Sequence, residues 1–176
     1  MTGLLVIDMQ VGLFEGAKRF DADGVVRRIN DLARAVRAKG GVVVFIQHED
    51  EGDFVHDAPG WQLLPALDSR PEDVYIGKTA CDSFYRSELD EVLRKRKIAR
   101  LLVTGCATDF CVDTTIRSAA SKDYEVAVVA DGHTTADRPH LPAEKIIEHH
   151  NWMWARLILP GRPVTVAKAE ELLRGV

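Results

Sequence analysis

Short aliphatic runs separated by helix-length amphipathic stretches constrain this 176-residue chain more than any other feature. Leu4-Leu5-Val6-Ile7, Val42-Val43-Val44-Phe45-Ile46, Arg100-Leu101-Leu102-Val103-Thr104-Gly105 and Val126-Ala127-Val128-Val129-Ala130 are continuous and β-branched, the pattern of strands covered on both faces. Val74-Tyr75-Ile76 reads as a further short strand and Val164-Thr165-Val166 as a last one. Between them lie helical spacings. Val25, Ile29, Leu32, Ala33 and Val36 line one face of a helix that Gly40-Gly41 stops. Ser87 caps the next helix, built around Leu89, Val92 and Leu93. Others are expected over about 109–121, 142–157 and 169–174. Strands buried on both faces and alternating with helices require parallel crossovers, so the expected architecture is a three-layer α/β/α sandwich around a mostly parallel sheet. The length suits one domain spanning residues 1–176, since single cores divide only beyond about 250 residues.

In an open sheet of this kind, ligands bind beyond the carboxyl ends of the strands, near the point where strand order reverses. That rule selects Asp8 after the first strand, Lys78 after the third and Cys111 in the connection leaving the fourth. Each has an ordinary explanation when taken singly. An aspartate after a strand is a common turn residue, a lysine is usually solvated, and a lone cysteine is more often a small hydrophobe than a nucleophile. Together they change the weighting. A lysine charge and the positive end of a helix favour a thiolate, and an acid beside them is able to take the thiol proton.

Composition excludes several classes. Lys and Arg total 23 against 27 Asp and Glu, interspersed, with no basic tract suited to a phosphate backbone, so nucleic acid is not an expected partner. No apolar run reaches the roughly 18 residues of a membrane span, and the start lacks the pattern of a signal peptide. Three cysteines without framework spacing point to a reducing, cytoplasmic setting with free thiols.

Four blocks carry a resemblance: Leu4-Leu5-Val6-Ile7-Asp8-Met9-Gln10, Gly77-Lys78-Thr79-Ala80-Cys81-Asp82-Ser83-Phe84, the run Val103-Thr104-Gly105-Cys106-Ala107-Thr108-Asp109-Phe110-Cys111-Val112-Asp113-Thr114-Thr115, and Asp131-Gly132-His133-Thr134-Thr135. With their spacing, the chain resembles the isochorismatase-like cysteine hydrolases from Leu4 to about Val166. The resemblance implies a catalytic triad of Asp8, Lys78 and Cys111. It also implies a non-proline cis peptide between Cys106 and Ala107 that turns backbone N–H groups toward the substrate. The activity it implies is cysteine-dependent hydrolysis of a C–N bond in a small amide, lactam or ureido/carbamoyl compound through a thioester. Vinyl ether cleavage, as in the isochorismatases themselves, and a silent ligand-binding homologue are the alternatives.

Nicotinamidases of this family place an Asp two residues before the histidine of a metal site after the second strand. Here that position is Ile46, ahead of His48, with Asp50 and His56 following. No required metal and no other cofactor are therefore expected. Gln10, Phe14, Trp61, Tyr85 and His133 lie near the motif segments and are the expected substrate-binding set, with Phe84, Phe110 and Thr135 nearby; each aromatic could equally belong to the core. Cys106 and Ala107 are expected at the oxyanion site, and Cys81 is incidental. Trp152 and Trp154 are read as packing or subunit contacts. The expected partners are a small-molecule substrate and a second copy of the chain, as a dimer or tetramer.

Overall fold

A computed structural model describes residues 1–175. Six strands form one sheet in which every pairing is parallel. They are β1 (Thr2–Ile7), β2 (Val42–His48), β3 (Val74–Lys78), β4 (Arg100–Cys106), β5 (Glu125–Thr134) and β6 (Thr165–Ala167), in spatial order β3-β2-β1-β4-β5-β6. The chain winds from β1 outward through β2 to β3, then returns to the other side of β1 for β4, β5 and β6. The reversal point is the β1–β4 boundary, where Ile7 stands opposite Gly105.

Side chains of successive strand residues point to opposite faces, and both faces are covered. Leu5, Ile7, Val44, Ile46, Val103 and Val128 pack with Leu89 and Leu93 of α3 (Leu89–Lys95), Ile116 of α4 (Asp113–Ser121) and Trp154 of α5 (Ala143–Trp154). Leu4, Val6, Val43, Phe45 and Val129 pack on the other side with Val25, Ile29, Leu32 and Val36 of α2 (Ala22–Ala38), joined by Leu172 of α6 (Ala169–Leu173). This is the expected three-layer α/β/α arrangement. Gly40 takes φ +72, the left-handed conformation that ends α2 as its sequence suggested.

The elements depart from expectation in ways that bear on function. A short helix α1 (Val11–Glu15), which no periodicity announced, follows β1. The segment expected as one helix over 109–121 is a single wide π-helical turn, Thr108–Val112, leading into α4. There the Ala107 carbonyl accepts from both Phe110 N–H and Val112 N–H, each at 3.1 Å. Strand β5 runs on to Thr134, beyond the expected end at Ala130, because a register shift between Val103 and Gly105 lets His133 pair with Gly105 and Thr134 with Cys106. Strand β3 also runs longer, to Lys78, and α5 ends at Trp154 instead of Leu157. Ser87 Oγ accepts from Leu89 N–H at 3.3 Å, although Glu88 is the residue that flanks the helix. The long connection from β2 to β3 holds only the brief 3-10 turn Pro59–Trp61.

Candidate active site

Alternation along β3 explains how a lysine comes to be buried. Val74, Ile76 and Lys78 point inward while Tyr75 and Gly77 are exposed, and Lys78 is only 2% exposed. Asp8 leaves β1 with φ +47, a conformation aspartate tolerates better than most residues, and its N–H donates to Ile46 O at 2.8 Å. Cys111 sits on the π-helical turn after β4. The three meet. Lys78 Nζ lies 2.8 Å from Asp8 Oδ2 and 3.4 Å from Cys111 Sγ, and it also donates to Ala80 O at 3.0 Å. Asp8 Oδ1 has no hydrogen-bond partner among the described residues.

The electrostatics are those of a buried, mutually dependent trio. Burial raises the proton affinity of Asp8 above that of a carboxylate in water, more than the charge of Lys78 and the Cys111 contact lower it. Burial by itself would lower Lys78, but the charge of Asp8 and the neighbouring thiol outweigh it and hold the ammonium charged. Burial and the adjacent Asp8 charge push the Cys111 thiol up, against the pull of Lys78. The resting thiol is therefore neutral, beside a charged Lys78 and an Asp8 whose proton affinity is raised. The other thiols differ: Cys106 is fully buried and pushed up to about 12, and Cys81 is exposed.

A cavity of about 320 Å³ opens onto Cys111. Asp8, Leu13, Arg19, His48, Phe54, Ala107, Phe110, Cys111 and Arg138 form its wall. A larger groove of about 640 Å³ meets it at Arg19, but none of Asp8, Lys78 or Cys111 lines that groove, so the chemistry belongs to the smaller one. The Cys106–Ala107 peptide bond is cis, and Ala107 N–H donates to no protein acceptor among the described residues.

None of the five expected substrate-binding side chains lines this cavity. Gln10 is fully buried, and its amide ties three segments together by donating to His48 O and Trp61 O and accepting from His48 N–H. Phe14 faces the larger groove, and Trp61 lies against His56 with ring centroids 4.4 Å apart. Tyr85 is half exposed beneath Arg86. His133 is 1% exposed, bonded through Nδ1 to Thr108 Oγ1 at 2.8 Å and through Nε2 to Asn151 Oδ1 at 3.0 Å. Asn151 Nδ2 donates to Ala130 O, so its oxygen accepts from His133 Nε2–H, and Nδ1 takes the threonine proton. His133 thus supports the turn that carries Cys111 from beneath. Trp154 is fully buried and donates to Asp113, whereas Trp152 is exposed under Arg156.

Leu13, Arg19, His48, Phe54 and Arg138 are the wall residues that motif reading did not select for substrate contact. Position on a strand end could have found His48, but the others come from loops and from α1, where nothing local marks them. Arg138 is committed to Asp109, at 2.8 and 2.9 Å, and lies over the Phe110 ring. Burial raises Asp109, yet the Arg138 and Thr135 hydrogen bonds outweigh it and keep its carboxyl below the usual range. His48 Nε2 stands 3.9 Å from Asp50, and His56 Nδ1 2.8 Å from Glu49. Among the described residues, no three His, Cys, Asp or Glu side chains gather as a metal site. Among those same residues, no helix is long and apolar enough to cross a membrane.

The isochorismatase domain model matches residues 2–168 of the chain. Streptothricin hydrolase of Streptomyces noursei is 33% identical over 142 residues, covering 79% of this chain and 56% of that protein, so the chain spans about half the length of that relative. Ureidoacrylate amidohydrolase RutB of Methylorubrum extorquens is 30% identical over 179 residues, covering 80% of this chain and 72% of that protein. A crystal structure of an isochorismatase family protein superposes with a TM-score of 0.87 at 32% identity, covering 94% of this chain and 96% of the other. A doubly wound sheet with an acid, a lysine and a thiol at its reversal point, and a domain match along nearly the whole sequence, lead to one conclusion: the chain belongs to the isochorismatase family.

Proposed function

We propose that the chain is a cysteine amidohydrolase that cleaves the C–N bond of a small amide, lactam or ureido compound. The observation that carries this reading is Lys78 Nζ at 2.8 Å from Asp8 and 3.4 Å from Cys111, the last two of which line a small cavity. The names of two relatives, a streptothricin hydrolase and a ureidoacrylate amidohydrolase, support the same bond type.

Asp8 takes the thiol proton as the sulfur of Cys111 attacks the carbonyl carbon, and the carbonyl π pair moves onto oxygen. Lys78 remains protonated and offsets the charge left on the sulfur–carboxylate pair. The Ala107 and Cys111 N–H groups face the developing oxyanion, a type of contact worth about 3 kcal/mol per donor. Collapse breaks the C–N bond, and Asp8 returns its proton to the departing nitrogen. Water then adds to the thioester, its proton passes to Asp8, and the acid leaves as Asp8 reprotonates sulfur. A vinyl ether substrate would give a thiol in this position no comparable electrophile, and a silent homologue would have no reason to keep Lys78 buried at the cost of desolvation.

A panel of small primary amides, lactams and ureas, scored for ammonia or amine release, tests the reading. Turnover that disappears in Cys111→Ala, with the thermal melt retained, supports it. Turnover unchanged in that variant overturns it. Activity is also expected to survive exhaustive chelation, because Asp50 is taken by the N–H groups of Gly52 and Phe54 and His56 by Glu49. Restoration of a chelated, inactive enzyme by zinc would contradict this.

A further inference from the structure

The cavity over Cys111 carries one cation left without a counter-charge among the described residues. The two other charged side chains of its wall are compensated: Asp8 by Lys78 and Arg138 by Asp109. Arg19 is different. Its Nε donates to Leu13 O at 2.7 Å, and among the described residues neither Nη group reaches a carboxylate or any other protein acceptor. The segment that presents it is fastened at the next residue, where Phe20 N–H donates to Thr135 O at 3.0 Å and Phe20 O accepts from Thr134 Oγ1 at 2.6 Å. The guanidinium is thus anchored through one nitrogen and held from behind. Its remaining N–H pairs are left for something in the cavity.

A second polar group on the same wall is also unanswered. His48 Nδ1 is buried and has no hydrogen-bond partner among the described residues. Buried polar atoms are almost always satisfied, and this orphan belongs to a residue of the cavity wall. The rest of the wall is apolar, from Leu13, Phe54, Phe110 and Ala107. A planar guanidinium with its Nη1/Nη2 edge open is the side chain best matched to a carboxylate, which it can hold through paired charge-assisted bonds.

We infer that the substrate is a small carboxylate-bearing amide or ureide, with its anion on Arg19 and its scissile carbonyl over Cys111. The inference rests on the amidohydrolase reading and sharpens it to a substrate class. Arg19 is then the residue that selects anionic over neutral substrates, and the compact volume of about 320 Å³ limits the carbon chain between anion and carbonyl.

The test compares 3-ureidopropionate and succinamate with their methyl esters, which keep the scissile group and remove the charge. Wild-type enzyme is expected to favour each acid over its ester in kcat/KM by about 100-fold or more, the scale on which a site built for polar recognition rejects an analogue that leaves its groups unpaired. Arg19→Gln should collapse that preference to within a few-fold, chiefly through a higher KM for the acids, and Arg19→Lys should restore part of it. Raising salt should weaken wild-type discrimination and leave the Arg19→Gln ratio unmoved. Equal treatment of acid and ester by the wild-type enzyme, or equal losses on both in Arg19→Gln, overturns the inference.

Calorimetric binding to Cys111→Ala separates this inference from the reading beneath it. If that variant binds 3-ureidopropionate or succinamate in an Arg19-dependent way and the wild-type enzyme cleaves neither, the anion site stands and the hydrolase assignment falls. If neither acid is bound or cleaved while neutral amides are hydrolysed, the hydrolase assignment stands and the anion site falls.

Discussion

A carboxylate that is 1% exposed holds its proton more tightly than one in water, and that property suits Asp8 to the role of base proposed for it. A base too weak to take a thiol proton would leave the sulfur inert, and burial moves Asp8 upward from 3.8. The acid limb of the kcat/KM profile should therefore have a midpoint above the usual carboxylate range, with activity rising as Asp8 loses its proton. Asp8→Asn should lose at least ~10²-fold in kcat at every pH, the ordinary scale for a general base. A profile flat from about pH 4 to 8 would remove Asp8 from this role. His133 gives a separate prediction about stability. Burial depresses it from 6.5 to about 4, so between those values the unfolded chain binds a proton that the native chain does not. Its contribution is complete above pH 6.5 and is lost as pH falls toward 4, on the order of 3 kcal/mol in all. Urea midpoints measured at about pH 7 and pH 4.5 should differ more for the wild-type chain than for His133→Gln. Gln10 and His133 show where residue-level reading stops. Their proximity to motifs suggested substrate contact, yet both face inward and are fully engaged, because sequence adjacency to a site says nothing of which way a side chain points.

The wide turn Thr108–Val112 is the element on which the site depends. A regular helix starting at this point would rotate Cys111 relative to β1, whereas the π-helical turn leaves its thiol beside Lys78. Thr108 and His133 brace it from below, and Asp113, at the start of α4, receives the Trp154 indole at 2.7 Å. A helix over 109–121 was visible in the sequence, but the wide first turn was not, since it precedes α4 and leaves the apolar stripe of that helix in phase. The strand before it is equally constrained. Gly105 has φ +122, and a Cβ there would lie 2.1 Å from Ile7 O and 2.6 Å from Ile7 N. Gly105→Ala should destabilise the fold by about 3 kcal/mol or more or prevent expression, because the clash is with the backbone of the central strand. Gly16→Ala is the control: nothing lies within 4 Å of its added Cβ, and its effect should stay within about 0.5 kcal/mol. Equal stability of the two variants would show that the β1–β4 seam is looser than its geometry.

Across the whole molecule, one sheet separates two apolar layers that share every central strand: Leu4 and Val6 serve one, Leu5 and Ile7 the other. Neither layer can be lost while the other keeps its strands paired. Far-UV circular dichroism, Trp fluorescence and the reactivity of Cys111 toward a thiol reagent should therefore report a single coincident transition in urea. A thiol that became reactive well before the sheet melted would show that the reversal point opens independently. The sequence by itself determined the order of strands and helices, because burial on both faces demands continuous aliphatic runs and a helix covering a sheet demands an apolar stripe; both patterns are local. It also pointed to the strand ends, and so to Asp8, Lys78 and Cys111. Only the tertiary structure decided that these three touch, since 70 positions separate Asp8 from Lys78 and 33 separate Lys78 from Cys111. It likewise made the cavity wall from Arg19, His48, Phe54 and Arg138 in place of Gln10, Phe14, Trp61, Tyr85 and His133. Wall residues are chosen by where loops settle over the sheet, and the contacts that settle them, such as Phe20 on Thr135 and Arg138 on Asp109, leave no periodic trace in the chain.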